Sequence, residues 1–338
     1  MSGHQSTASK LTYMESAQIA FHRQWQHLHN PHVRVLAWML TAPGLLDEHD
    51  PLWHGTLATA AYTNRQAVPD WLAELDRDPA PLLLLLQQHP SRRLGLYAER
   101  LYGFYLRVHG LLYAHGLQVH NKGASTIGEF DFLLQTATGL QHLELATKFY
   151  LYHGDVATPP DLYDYLGPNL ADSLGAKLHK IIDQQLQLSR HPLAQQVLPQ
   201  AVQSAQALVL GWLFYRDEEI VDTFIHVHGH LAGLAQDHYR GAIWTQSEVR
   251  ALDFEHALLL DRLDWLAPAQ VGEGTTQDKD TILNSMQAYI ASANTPLMLA
   301  LMQEDQHGLA VMQEYRRGMV LPDDWFVRAD AVKVKRAQ

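Results

Sequence analysis

Two apolar runs, each interrupted by isolated charges, constrain this chain more than any other feature. They lie between Thr126 and Tyr152: Thr-Ile-Gly-Glu-Phe-Asp-Phe-Leu-Leu, a short turn, then Gln-His-Leu-Glu-Leu-Ala-Thr-Lys-Phe-Tyr-Leu-Tyr. The two runs read as buried strands of a hairpin. Asp131 interrupts the first, and Glu144 and Lys148 the second. A buried strand has little use for two carboxylates and an ammonium unless they face one another or a metal. The hairpin is therefore a candidate catalytic centre.

Alternation sharpens this. Residues two apart in a strand share a face. His142, Glu144, Ala146, Lys148 and Tyr150 point one way, while Leu143, Leu145, Thr147 and Phe149 point the other. Asp131 shares its face with Glu129 and Leu133. If that face is common to both strands, Asp131 and Glu144 converge. Converging carboxylates repel, and Mg²⁺ relieves this, held by one or two carboxylates with several waters retained. Such an ion activates bound water and neutralises charge developing on a phosphodiester. Lys148 is a candidate to position the nucleophile.

Composition bounds the reading. A chain of 338 residues, 47% apolar and 18% charged, can bury a sizeable core in two domains or one elaborated domain. The net charge of -11 argues against unspecific polyanion binding. Residues 91–190, however, hold nine Lys/Arg and nine Asp/Glu, so the acidic excess lies elsewhere and a nucleic-acid groove is permitted there. The absence of cysteine removes disulfides, thiolate metal sites and cysteine nucleophiles. Met1 to Lys10 is polar, without the apolar core of a signal peptide, and no apolar run approaches the ~20 residues of a membrane span. The expectation is a cytoplasmic protein with no membrane partner.

Along the chain, residues 1–10 read as disordered. Thr12 to Leu46 is helical and broken at Asn30-Pro31. A short helix follows Pro69 with Asp70 as its cap, and another covers Pro81 to Gln88. Leu94 to Ala114 has strong helical spacing and carries Glu99. Leu117 to His120 is extended, and the hairpin follows. Ala171 to Leu188 is an amphipathic helix, and Pro192 to Pro199 resembles a linker. Gln203–Tyr215, Tyr239–Thr245, His256–Leu266, Pro296–Gln303 and Leu309–Leu321 are strand candidates, with a helix over Asp280–Ala291. This gives an α/β chain in three portions: 1–90 helical, 91–200 central, and 201–330 α+β.

Gly128-Glu129-Phe130-Asp131-Phe132-Leu133, followed about ten residues later by apolar-Glu-x-x-x-Lys, resembles the PD-(D/E)XK nuclease superfamily. Small members of that superfamily have a Gly-Glu-apolar-Asp strand before a Glu-x-Lys strand. The preceding helix with Glu99 resembles the superfamily's first core helix, whose acid often joins the metal site. This likeness covers about residues 92–190. Further segments, His32-Val-Arg-Val-Leu-Ala-Trp38, Leu94-Gly-Leu-Tyr-Ala-Glu-Arg-Leu101, Gly167-Pro-Asn169, Trp265-Leu-Ala-Pro268 and Arg317-Gly-Met-Val-Leu-Pro-Asp-Asp-Trp325, together with the hairpin, extend over nearly the whole chain. In them the chain resembles the bacterial family named domain of unknown function 1853 (DUF1853). The nuclease likeness implies an α-β-β-β core and a Mg²⁺- or Mn²⁺-dependent hydrolase acting on nucleic acid, DNA in particular. Asp131, Glu144 and Glu99 would be the metal set and Lys148 the catalytic lysine.

The chain departs from that pattern at one point. The superfamily spaces Glu and Lys two residues apart, but Ala146 stands two before Lys148. Four steps of about 3.3 Å put Glu144 and Lys148 about 13 Å apart in a straight strand. Three alternatives follow: a bulge or bend shortens the distance, another lysine such as Lys122 serves, or the fold survives without catalysis as a nucleic-acid-binding or scaffolding module.

Other features have plainer readings. Glu129 fits a strand-edge residue, and Gln184 and Gln185, which resemble positions from which nuclease-type folds touch substrate backbone, fit solvated helix positions better. His226-Val-His-Gly-His230 would place alternate histidines together on a strand, as Zn²⁺ can use, but among 21 histidines chance clusters are expected. Trp25, Trp38, Trp212, Trp244, Trp265 and Trp325 fit core packing better than base stacking. Gly272 and Gly274 fit a surface loop.

Overall fold

A computed structural model describes residues 16–58, 67–121, 125–217, 219–305 and 308–337. The segment 1–10 and Lys122 lie outside them. Asn30-Pro31 divides the first helical stretch into α1 (Ala17–Trp25) and α2 (Pro31–Thr41). The Asn30 side chain caps α2 by accepting from the His32 and Val33 N–H groups at 3.0 and 3.3 Å. Then come α3 (Val68–Arg77), α4 (Ala80–Gln88) and α5 (Leu94–Val108). Asp70 lies inside the first turn of α3 and is not its cap. The helix expected to reach Ala114 stops at Val108, because Gly110 adopts φ +68° and turns the chain.

The hairpin region follows as β1 (Leu112–His120), β2 (Thr126–Thr136) and β3 (Gly139–Tyr152). Next are β4 (Tyr165–Leu166) and α6 (Leu174–Lys180), the latter capped by the Ser173 hydroxyl. The helix expected as far as Leu188 changes character after Lys180. Ile181–Gln185 forms a π-helical turn, and Leu188–Arg190 a 3-10 turn. The linker-like patch holds α7 (Pro192–Val197).

Beyond it are β5 (Val202–Tyr215), α8 (Ile220–His228), β6 (Tyr239–Thr245), α9 (Gln246–Ala251) and β7 (His256–Leu260). The chain ends in β8 (Gln270–Gly272), α10 (Lys279–Ala293), β9 (Leu297–Glu304), β10 (Val311–Leu321) and α11 (Trp325–Ala337). Three expectations change here. The strand expected over 256–266 gives way after Leu260 to a 3-10 turn at Arg262–Trp265. Gly272 closes a short strand paired with β10 and so is not wholly in a loop. His226 and His228 lie on helix α8, and Gly229, at φ +74°, ends that helix before His230. Neighbours two apart on a helix diverge, so the strand geometry proposed for a shared Zn²⁺ is absent.

The chain is a mixed α/β protein built on one ten-stranded sheet. Its order is β1-β2-β3-β5-β6-β10-β9-β7, with β4 on β3 and β8 on β10. The ladders β3–β5, β5–β6 and β6–β10 are parallel. Central parallel strands are covered on both faces, and β3 shows it. Leu143, Leu145, Phe149 and Leu151 join the core beneath α2 and α5. Ala146, Tyr150 and Tyr152 join the core beneath α6 and α8. All six tryptophans considered for stacking are buried. Among the described residues, no helix is long and apolar enough to cross a membrane.

Candidate active site at the parting of two strands

The β2–β3 ladder runs from Thr136 opposite Gly139 to Phe132 opposite Leu143, and stops. Before Phe132, β2 stays paired with β1, while β3 continues along β5 to Leu151. The strands part at Asp131 and Glu144. There the Leu145 N–H, having lost a main-chain acceptor on β2, donates to Asp131 Oδ2 at 3.0 Å. The Asp131 N–H in turn points at Glu144 Oε1, 3.5 Å away. The strand ends thus exchange main-chain pairing for carboxylate pairing.

Burial first, and the Glu144 charge second, push the Asp131 carboxyl up to about 7. Burial does the same to Glu144, which also reaches about 7. Glu99, on α5, is raised to about 7 by burial and then by the charges of Asp131, Glu129 and Glu144. Three elements therefore bring three acids into one field.

Lys148 stands further along the same face of β3 as Glu144. Burial lowers its pKa, and the neighbouring Lys177 charge lowers it further. Asp172, Asp131 and Glu99 oppose this. Lys177 is itself paired with Asp172 at 3.0 Å. The β3–β5 ladder keeps one register from Gln141 opposite Ser204 to Leu151 opposite Phe214, so no bulge shortens β3 at Ala146-Thr147. Lys148 thus keeps the full four-residue separation from Glu144 of an unbulged strand.

Two residues that the sequence reading did not connect with Glu144 complete its surroundings. His142, fully buried, brings Nε2 to 2.6 Å from Glu144 Oε1. Gln185 donates from Nε2 to Glu144 Oε2 at 2.6 Å. The π turn that ends at Gln185 changes the helical phase and separates it from Gln184, which stays exposed. Glu129 is exposed and bonded to Gln118 at 2.8 Å, as a strand-edge residue. A groove of about 690 Å³, lined by Gln187, Arg190, Gln195, Gln203 and Ser204 among others, lies further along the same turn segment and contains none of the acids.

Among the described residues, no three His, Asp or Glu side chains form a ready ligand set for a metal. The donor chemistry at the strand ends nevertheless suits a hard cation of the Mg²⁺ kind. Asp131 and Glu144 supply oxygen only, and such an ion is commonly held by two carboxylates with waters completing its shell.

A family model described as a domain of unknown function (DUF1853) matches residues 34–321. The chain belongs to the DUF1853 family. The matched span includes Glu99, Asp131, Glu144, Lys148 and Gln185. No curated protein and no solved structure matches the chain.

Proposed function

We propose that this DUF1853 protein is a metal-dependent phosphodiesterase acting on nucleic acid, with DNA the first substrate to test. One observation carries the reading. The parting strands bring Asp131 and Glu144 together, each carboxylate facing the other strand's backbone N–H, and Glu99 of α5 and Lys148 lie in the field of Asp131. Acids crowded in this way are characteristic of functional sites. The order α5-β1-β2-β3 also follows the helix and three strands expected of a PD-(D/E)XK core.

In this reading Asp131 and Glu144 hold Mg²⁺ or Mn²⁺, and Glu99 adds negative charge from the helix side. A bound ion would lower the pKa of a water and offset charge on the phosphodiester. The chain's own contributions are orientation and charge. Leu145 N–H fixes the Asp131 carboxylate. Lys148, half-buried and with its pKa lowered, holds an attacking water by hydrogen bonding.

The test is purified protein with Mn²⁺ or Mg²⁺ and single- and double-stranded DNA, beside a calorimetric titration with Mn²⁺. Cleavage that needs the metal and disappears in Asp131→Ala is expected. Protein that takes up no divalent ion would end this reading. A second reading, a non-catalytic nucleic-acid-binding or scaffolding module, draws on the unbulged β3 and on the hydrogen bonds that already engage both Glu144 oxygens. It expects DNA binding or partner binding without cleavage in the same assay.

A further inference from the structure

We propose that His142 and Gln185 are positioning residues that clamp the Glu144 carboxylate from two sides. This deepens the reading above and rests on Glu144 being a cation-holding group. The geometry is specific. His142 Nε2 and Gln185 Nε2 each lie 2.6 Å from a different oxygen of Glu144. The two donors come from different elements, one from β3 and one from the π turn after α6. An ionised carboxylate offers about four acceptor positions on its two oxygens. One donor on each oxygen fixes the plane of the group; Oε1 is also approached by the Asp131 N–H at 3.5 Å, and Oε2 is left able to accept once more.

The His142 ring is built for this task. It is fully buried, it stands edge-on to Phe130 with centroids 4.7 Å apart, and among the described residues its Nδ1 has no hydrogen-bond partner. A carboxylate only accepts, so the ring's proton belongs on Nε2 and Nδ1 keeps a bare lone pair. A buried polar side chain with one committed nitrogen and one idle nitrogen is poor as structural glue. It makes sense as a donor held in one orientation. Groups that orient a metal-binding carboxylate in this way are part of the site's design.

Two measurements on the full chain test the clamp. The first needs no metal. Long-range ¹H–¹⁵N correlation spectra, with the His142 signals assigned by their loss in His142→Gln, should show the Nε2-protonated tautomer. An Nδ1-protonated ring overturns the proposal.

The second is Mn²⁺ affinity by calorimetry. His142→Gln keeps a donor near the Nε2 position and should bind within about threefold of the parent, whereas His142→Leu and Gln185→Leu should bind about ten- to a hundredfold more weakly. Undiminished affinity in both leucine variants overturns the clamp. Equal losses in His142→Gln and His142→Leu reveal packing alone and also overturn it. Should His142→Leu fail to fold, Gln185→Leu carries the comparison, because Gln185 is only half-buried on its turn. A parent protein that takes up no Mn²⁺ refutes the phosphodiesterase reading, and the ring spectrum then decides the clamp alone.

Discussion

Asp131 performs two tasks that pull its ionisation in opposite directions. Accepting the Leu145 N–H at 3.0 Å favours the carboxylate, while burial and the Glu144 charge favour the acid and prevail, raising it to about 7. An acid whose folded-state pKa lies above its unfolded value stabilises the fold at pH below the unfolded value, and that stability is lost as pH rises through the folded value. Between about pH 4 and pH 7, therefore, the metal-free protein loses stability at this site. Asp131→Asn retains an oxygen for Leu145 and never ionises. It should be more stable than the parent at pH 8 by on the order of 1–3 kcal/mol, with the advantage shrinking by pH 5. Urea unfolding at the two pH values measures it, and an advantage that does not change with pH would remove the buried pair from the explanation. Asp131 and Glu144 are legible in the sequence because a lone carboxyl in an apolar strand has few harmless explanations. The bond from Gln185 to Glu144 is not legible. Regular helical spacing keeps Gln185 beside Gln184 on a solvated face, and only the π turn brings it to Glu144. Alternation assigns His142 to the correct face, but nothing in the sequence foretells its bond.

At the scale of elements, the site depends on how β3 is held between its neighbours. Lys148 lies opposite Gly211 of β5, where φ is +148°. A Cβ built on Gly211 would collide with the Lys148 carbonyl oxygen. Only glycine allows β5 to approach so closely with that backbone. Gly211→Ala should therefore cost about 3 kcal/mol or more, combining backbone strain with separation of the ladder. Denaturant unfolding measures the loss, and a variant within about 0.5 kcal/mol of the parent would show that the close approach is readily relieved. The strands expected over 203–215, 239–245, 296–303 and 309–321 form within a residue or two of those bounds, legible because each is an apolar run of strand length. The parallel pairing that places Gly211 against Lys148 is not, because periodicity within a strand says nothing about its partner. The same limit applies to the Glu144–Lys148 spacing. The sequence poses the question of a bulge, and only the ladder, continuous through Ala146 and Thr147, answers it.

At the scale of the molecule, a buried ionic cluster ties the two ends of the chain together. Arg317, with no exposed surface, makes a two-pronged pair with Glu314, Nε to Oε1 at 2.6 Å and Nη2 to Oε2 at 2.7 Å. It also donates to the carbonyls of Trp265 and Ala267 and lies 3.9 Å over the Trp212 ring. Two segments that carry the family likeness, at 265–268 and 317–325, thus meet directly. From the other end, the His22 ring bonds the Glu314 carbonyl at 3.1 Å, and Arg34 donates to the Trp25 carbonyl at 2.6 Å and contacts His22 at 3.1 Å. Burial first, and the Arg34 charge next, lower His22 to about 3, so it stays neutral at ordinary pH and adds no third positive charge. Glu314 is the carboxylate that Arg317 pairs with and also accepts from Ala269 N–H at 2.9 Å. Removing one member of a buried pair strands the other, whereas replacing both with apolar groups costs far less. Arg317→Met should therefore destabilise the full chain by about 3–5 kcal/mol, and the double variant Arg317→Met with Glu314→Leu should recover a large part of that. Denaturant unfolding of the four proteins in the cycle gives the coupling. If the double variant is no more stable than Arg317→Met, the guanidinium's bonds to Trp265 and Ala267, rather than its pairing with Glu314, hold the ends of the chain together.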